Sequence, residues 1–521
     1  MKLTPFAKGL IFVLAITIFA GIIVFTTRIL NGDAFNQEEA QHALYGAWIW
    51  KDITSADWRG FWYDTGRQMI WPFLHSWILA VFFLIFGVGY VSARFLSLIL
   101  FLLSVVLAYL LANKFCERLG WKVGALTAVL MLTSPLMLRF ASENMIESLG
   151  MLLFLSATYM YLVCEEHREV LYYVTLAFIL GLSLYTNYVY AFLMLPSFLV
   201  VTLVKLGPLT LAARRLSKKG EKVAVPFIWW AYKKLIVLGV LLVLAAGWFS
   251  FNFSRRVALL LDVILRSGMG QGPGWLESLV YYPRVIVEQI SFSPWIGIFL
   301  LLSLFVPFVA RHFEGLKKLY VFVWTVLLLA TLIISTKAPQ IIYIIVPFIF
   351  MIFSAVFFHW LERFWRRDKK LAWLLVLVLM LPSLISLPRI YGLYLPERTG
   401  QNMVDVLDYF KTNVPEAARF GTILNLKHFN PDVLRFHFRD RPGRILSEET
   451  LERGGLSGES VYYLTFDLDA DSRYKKDLLD DSLYRWNAWL REKEINGKVG
   501  LHSSERFENI DLTARIYKNI P

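Results

Sequence analysis

FAKGLIFVLAITIFAGIIVFTTRIL, residues 6–30, is followed directly by NGDAFNQEEAQHALYGAWIWKD, residues 31–52. The first stretch is long and apolar enough to cross a bilayer as a helix, and it decides the class of the protein. The second puts three carboxylates, Asp33, Glu38 and Glu39, where that helix emerges. Working outward, comparable apolar stretches recur at 91–112, 123–140, 148–163, 170–185, 188–204, 235–253, 294–310, 319–335, 341–358 and 371–387. They predict a polytopic α-helical membrane protein with about eleven spans. Composition agrees, because 57% hydrophobic and 16% aromatic residues over 521 positions exclude an ordinary soluble globular chain. No small-residue cleavage site follows residues 6–30, and the stretch is too long for the apolar part of a secretory signal. It reads as a retained first helix.

One further segment, 71–87, is apolar but short and contains His75. Charge bias decides its status. With residues 71–87 left uncounted, the N-terminus and the loops bearing Lys114, Arg118, Lys122, Arg214, Arg215, Lys218, Lys219, Lys222, Arg311, Lys317, Lys318, Arg363, Arg366, Arg367, Lys369 and Lys370 all fall on the cytoplasmic side. Segment 71–87 is therefore predicted to be an interfacial or re-entrant helix. The external side then receives Asp33, Glu38 and Glu39, the second carboxylate pair Glu143 and Glu147, the loop 254–293, Lys337 and everything after residue 388. The net charge of +13 is mostly a signature of cytoplasmic loops facing membrane lipids, and it needs no nucleic-acid partner.

From about residue 391 the composition becomes that of a soluble domain. Helical spacing at 403–411, a strand at 421–426, a short helix at 431–438 opening on Pro431, a strand at 461–466, an amphipathic helix at 475–494 and a strand at 513–518 predict a small α/β domain. The expected division is a transmembrane domain, 1–390, with a first external loop at 31–90, and an external α/β domain, 391–521. Cys116 and Cys164 fall near cytoplasmic ends of spans and read as structural thiols.

Chemistry concentrates in the acidic clusters. Residues 36–52 read as a helix along the membrane, with Leu44, Ala47, Trp48 and Ile49 available for lipid or protein contact, and Glu38 and His42 one turn apart. Three readings stand: a solvated helix face, a metal pair lacking a third ligand, or a general base beside the bilayer. Glu143 and Glu147 form the second cluster, and a helix-start charge is the plain alternative for Glu143.

The motif Glu38-Glu39-Ala40-Gln41-His42-Ala43-Leu44 is followed by Trp71-Pro72-Phe73-Leu74-His75-Ser76-Trp77 and Ser92-Ala93-Arg94-Phe95-Leu96-Ser97. With Ala141-Ser142-Glu143-Asn144 and Ser335-Thr336-Lys337-Ala338-Pro339-Gln340-Ile341-Ile342-Tyr343, this order resembles the C-type membrane glycosyltransferases, in the protein O-mannosyltransferase and lipid A aminoarabinose transferase branch. The resemblance implies inverting transfer of a sugar from a polyprenyl-phosphate donor to an acceptor hydroxyl on a lipid, glycan or protein, at the external face of a plasma membrane. It places Glu38 at the family's catalytic carboxylate, where relatives carry Asp, with Asp33 as the alternative base and Glu143 as the second-loop carboxylate.

For the leaving phosphate the resemblance points to Lys337. Where relatives carry a lysine before Pro-Pro this chain has Ile70-Trp71-Pro72, and Arg67 is the candidate to substitute; Arg255 and Arg256 could clamp a phosphate, with an ordinary basic membrane edge as the plain alternative. The glycine-rich run at 268–274 has the make-up of a lid or of a connector. Cofactor use is unknown, with a divalent cation compatible with the carboxylates. A transporter or flippase for lipid-linked substrates is the rival class, although charges sit near span ends rather than at the midplane. A non-catalytic membrane scaffold with an external binding domain is the third.

Overall fold

A computed structural model of the chain describes residues 4–69, 71–116, 119–166, 170–218, 275–306, 316–370, 402–441, 443–446, 460–469 and 481–520, with isolated positions among 239–261, 372–377, 450–451 and 472–475. The chain is mostly helical: α1 (Pro5–Val24), α2 (Gln37–Thr54), α3 (Trp58–Gly66), α4 (Leu74–Phe86), α5 (Tyr90–Phe115), α6 (Gly120–Thr133), α7 (Pro135–Ser142), α8 (Glu147–Glu166), α9 (Val170–Leu184), α10 (Tyr188–Lys218), α11 (Trp275–Val285), α12 (Pro294–Ser303), α13 (Lys317–Leu332), α14 (Pro339–Tyr343) and α15 (Val346–Arg367). A C-terminal sheet region follows, with α16 (Met403–Asn413), β1 (Arg419–Gly421), α17 (Pro431–His437), β2 (Val461–Leu468), α18 (Ser482–Ile495), β3 (Val499–Phe507) and β4 (Leu512–Asn519).

Among the described residues four helices have the length and apolar composition of a membrane span: Pro5–Ile29, Tyr90–Phe115, Glu147–Cys164 and Val346–Arg367. The pair α6 and α7, bent by 65° at its break, passes the same test only when its two helices are taken together. These embed the chain in a membrane. The expected span at 235–253 and most of that at 371–387 lie outside the described residues. Two expected single spans are broken. Ser134, ahead of Pro135, is extended at φ −73° and ψ 123°, as the residue before a proline prefers, and this ends α6 inside the stretch 123–140. The stretch 341–358 begins as the short α14 and continues as α15. Segment 71–87 forms α4, whose 13 residues reach about 20 Å, short of a hydrocarbon core of about 30 Å.

Contacts divide the chain into two compact units. The first comprises Met1–Phe25, Trp62–His75 and Phe95–Tyr394. Thr4 caps α1 by accepting from the Ala7 amide, with Pro5 at the first helical position. The large apolar residues Ile18 and Phe19 of α1 are more than half exposed, as suits a lipid-facing helix. Its other side meets α6 and the tyrosine of α5 whose hydroxyl, Tyr109 Oη, donates to Phe6 O at 2.7 Å. Gly124 of α6 lets that tyrosine come close, since a Cβ there would lie 2.7 Å from the Tyr109 ring and 3.0 Å from its carbonyl oxygen.

The second unit comprises Thr26–Phe61, Ser76–Arg94 and Leu395–Pro521. Its sheet has the order β1-β2-β4-β3, with β1 parallel to β2 and the other pairs antiparallel. The small α/β fold expected after residue 391 is present. α18 packs on β2, and the buried Trp486 donates its indole N–H to Leu464 O at 3.0 Å. The strand expected at 421–426 lies earlier, at Arg419–Gly421, and shares only Gly421 with the expected stretch, and the helix expected from residue 475 is described from Ser482. No strand was expected at β3. Its residues from Leu501 to Arg506 are mostly exposed and polar, so it carries little apolar alternation, and it lies at the sheet edge.

Candidate functional site

In the second unit the acidic segment after α1 is built around one arginine. Asn36 caps α2 in a reciprocal box: its side chain accepts from Glu39 N at 2.9 Å, and Glu39 Oε2 accepts from Asn36 N at 3.1 Å. The same Glu39 carboxylate receives Arg94 in a two-point pair, Nε to Oε1 at 2.8 Å and Nη2 to Oε2 at 2.9 Å. Arg94 also donates to Asp33 O at 2.7 Å and reaches Ala34 O at 3.4 Å. Glu39 is 1% exposed and Arg94 5%, so the pair is a buried one. Gly32 makes room for it, because a Cβ there would collide with the Arg94 guanidinium and press on Arg28 O and Ile29 O at 3.0 Å. Phe35 packs between the Arg94 guanidinium, 5.1 Å from its ring centre, and the rings of Tyr90 and Phe436 at 4.5 and 4.9 Å.

Asp33 is buried and well supplied with donors. Its Oδ1 accepts from Ala34 N and from Met403 N, both at 2.9 Å, and its Oδ2 accepts from Tyr474 Oη at 2.7 Å. Ala34 O is also 2.8 Å from His428 Nδ1, which must carry the proton, since a carbonyl only accepts. Burial holds His428 below its ordinary pKa, against the opposing pull of Asp33 and Glu39.

Helix α2 turns Glu39, His42, Ala43, Leu44, Ala47 and Ile49 inward and leaves Glu38 exposed. Glu38 and His42, expected to share a face, therefore have different surroundings: the helix buries the histidine and presents the glutamate. The apolar residues Leu44, Ala47 and Ile49 make protein contacts.

Glu143, Lys337 and Arg67 belong to the first unit. Glu143 stands at the C-terminal end of α7, not at a helix start, where a carboxylate opposes the helix dipole; Arg139, at 3.1 Å, offsets this. The helix-start carboxylate is the buried Glu147, the first residue of α8. Nearby, Ser148 Oγ donates to Phe140 O at 3.3 Å, and the Phe140 ring packs edge-on against Tyr343 at 5.1 Å. Lys337 Nζ donates to Ala330 O and Thr331 O, both at 2.8 Å, and to Ile334 O, so the lysine finishes the C-terminus of α13. Burial lowers its pKa. Arg67 pairs with Asp64 at 3.0 Å and lies 5.6 Å from the Tyr63 ring centre. Arg255 is an exposed helical position, while Arg256 and the glycine-rich run 268–274 lie outside the described residues. Among the described residues no group of three His, Cys, Asp or Glu side chains is disposed to hold a metal ion.

Sequence reading singled out Glu38 and Asp33 but missed Arg94 as the counter-charge and Tyr474 and His428 as partners. An arginine just inside an apolar helix was the available signal, because such a charge needs an anion.

The family described as dolichyl-phosphate-mannose-protein mannosyltransferase matches residues 71–225. The fold is similar to that of ArnT from Cupriavidus metallidurans in the apo state, with a TM-score of 0.60 at 13% identity over 97% of this chain and 98% of that one. The same protein bound to undecaprenyl phosphate gives a TM-score of 0.58 at 13% identity, with the same coverage of both chains. The oligosaccharyltransferase AglB from Archaeoglobus fulgidus, in complex with an inhibitory peptide and a dolichol-phosphate, gives 0.51 at 13% identity, over 87% of this chain and 69% of that one. No curated protein matches by sequence.

Proposed function

We propose that this chain, which has the fold of the C-type membrane glycosyltransferase superfamily, transfers a sugar from a polyprenyl-phosphate carrier to an acceptor hydroxyl, with inversion at the anomeric carbon. The observation that carries the reading is the make-up of α2. Its acidic pair is split, with Glu39 held inside by Arg94 and Glu38, the next residue back, exposed on a capped helix. The family match at 71–225 and the lipid-phosphate complexes of the similar folds support the donor class.

In this proposal Glu38 takes the proton of the acceptor hydroxyl as its oxygen bonds to the anomeric carbon. The bond from that carbon to the phosphate oxygen breaks, and the lipid phosphate leaves with the electron pair. Asp33 is the other candidate base, but its oxygens already serve the Ala34 and Met403 amides and the Tyr474 hydroxyl. Lys337, Arg67, Arg255 and Arg256 are the candidate cations for the phosphate, and Glu143 a candidate for orienting the acceptor. Lys337 would exchange carbonyl partners for phosphate oxygens. About eleven spans, a cytoplasmic N-terminus and an external C-terminal domain complete the proposed topology, from the charge bias of the loops.

The test uses purified full-length protein with a labelled polyprenyl-phosphate sugar. Free polyprenyl phosphate should be released only when acceptor is present, and Glu38→Gln should slow that release by about 100-fold or more. Transfer left untouched by both Glu38→Gln and Asp33→Asn would remove this site from consideration. Passage of intact donor across vesicles without cleavage would favour a flippase.

A further inference from the structure

Met403 opens α16, and its amide is one of the donors that a helix N-terminus leaves without an intrahelical acceptor. That amide is satisfied by Asp33 Oδ1 at 2.9 Å, from a residue 370 positions earlier in the chain. Tyr474, fully buried, closes the other side of the same carboxylate at 2.7 Å, and its oxygen also lies 3.0 Å from the Met403 amide. Asn402 is the N-cap of that helix, and Asp33, in the loop that leads into α2, satisfies the helix's first amide beside it. His428 adds a third tie from that fold, at Ala34 O, and Phe436 packs on Phe35. Asn36, the N-cap of α2, follows at once.

We infer that the C-terminal α/β fold is a positioning device for the acidic helix α2, with Tyr474 acting through Asp33 to fix the segment that aims Glu38. This rests on the proposed transferase reading for its effect on turnover, but the latch itself does not. Three elements and the Tyr474 hydroxyl meet on residues 33–36: α5 through Arg94, α16 through its first amide, and α17 through Phe436. Glu38 lies within one helical turn of that junction. A small rotation of the segment would carry the Glu38 carboxylate away from any hydroxyl it deprotonates, and misplacement on that scale costs turnover rather than donor binding. Tyr474 is a positioning residue, because it touches Asp33 and not the reacting atoms.

Tyr474→Phe removes one hydrogen bond to a charged group and keeps the ring. In the full-length protein it should speed hydrogen exchange of the amides at 37–45 and lower kcat by about tenfold, with the donor KM unchanged. Asp33→Asn should do the same, and the double variant should be little worse than either single one, because both cut the same tie. Tyr484→Phe, at an exposed position of the same domain, is the control that changes neither readout. Unchanged exchange at 37–45 in both Tyr474→Phe and Asp33→Asn overturns the latch, as does loss of transfer in Asp33→Asn while Tyr474→Phe turns over like wild type, which would make Asp33 the base. Should Tyr474→Phe not accumulate as folded protein, Asp33→Asn decides by exchange alone. Wild-type protein that transfers no sugar to any acceptor would instead defeat the functional reading and leave the exchange test standing.

Discussion

Arg94 carries more of the site than any residue that sequence reading selected. Its guanidinium serves a buried carboxylate and two backbone carbonyls, so its loss leaves Glu39 charged, buried and without its two-point partner. Arg94→Met should cost about 3–5 kcal/mol, read as a fall in the thermal unfolding midpoint of the purified protein. The double variant Arg94→Met, Glu39→Met should recover much of that loss, and a double variant as unstable as the single one would show that the pairing is not the cause. His428 gives a pH dependence. Burial depresses its pKa in the folded state, so the unfolded chain binds the proton more readily. Stability is therefore complete above the ordinary histidine value of about 6.5 and falls as pH drops below it. The unfolding midpoint of wild type should decline more steeply from about pH 7 to 5 than that of His428→Gln, and parallel curves would refute the assignment. The histidine could not be chosen from sequence, because nothing local marks position 428 as facing Ala34.

At the scale of elements, a capped amphipathic helix is legible from its own residues. The segment 36–52 was expected as a helix and is α2, capped by Asn36, because the polar start and apolar repeat are local signals. The kink in 123–140 was equally local, set by Pro135, yet the stretch was counted as one span because apolar length outweighs a single proline in a window. β3 went unread for the reverse reason: an exposed edge strand needs no apolar alternation. Packing between helices leaves a different trace, in small residues. Gly124 abuts the Tyr109 backbone as well as its ring, and backbone cannot swing aside as a side chain can. Gly124→Val should cost about 1–3 kcal/mol, seen as a lower unfolding midpoint in detergent, whereas Gly66→Ala, with open space around it, should cost far less. Equal midpoints for the two variants would mean that α6 and α5 can part without penalty.

For the whole molecule, class was legible from apolar length and composition, and the α/β domain from the change in composition near residue 391. What stayed hidden is which pieces of chain fold together. Residues 26–61 and 76–94 join Leu395–Pro521 in one compact unit through contacts such as Asp33 with Met403 and Tyr474, and periodicity within a window says nothing about partners several hundred positions away. A consequence can be measured on a chain cut after residue 394. It keeps α2 and Arg94 but removes the amide, hydroxyl and imidazole that hold Asp33 and Ala34. Lys51, in the last turn of α2, is exposed in the full chain, so helical order, not burial, is what shields it from trypsin. Cleavage there requires local opening, whose free energy falls when the ties at the start of α2 are gone. The truncated protein in detergent should be cut at Lys51 at least about tenfold faster than the full chain, a change of roughly 1.4 kcal/mol in opening. Equal cleavage rates would mean that α2 holds its order without the α/β fold, and Arg94 alone would then suffice to fix it.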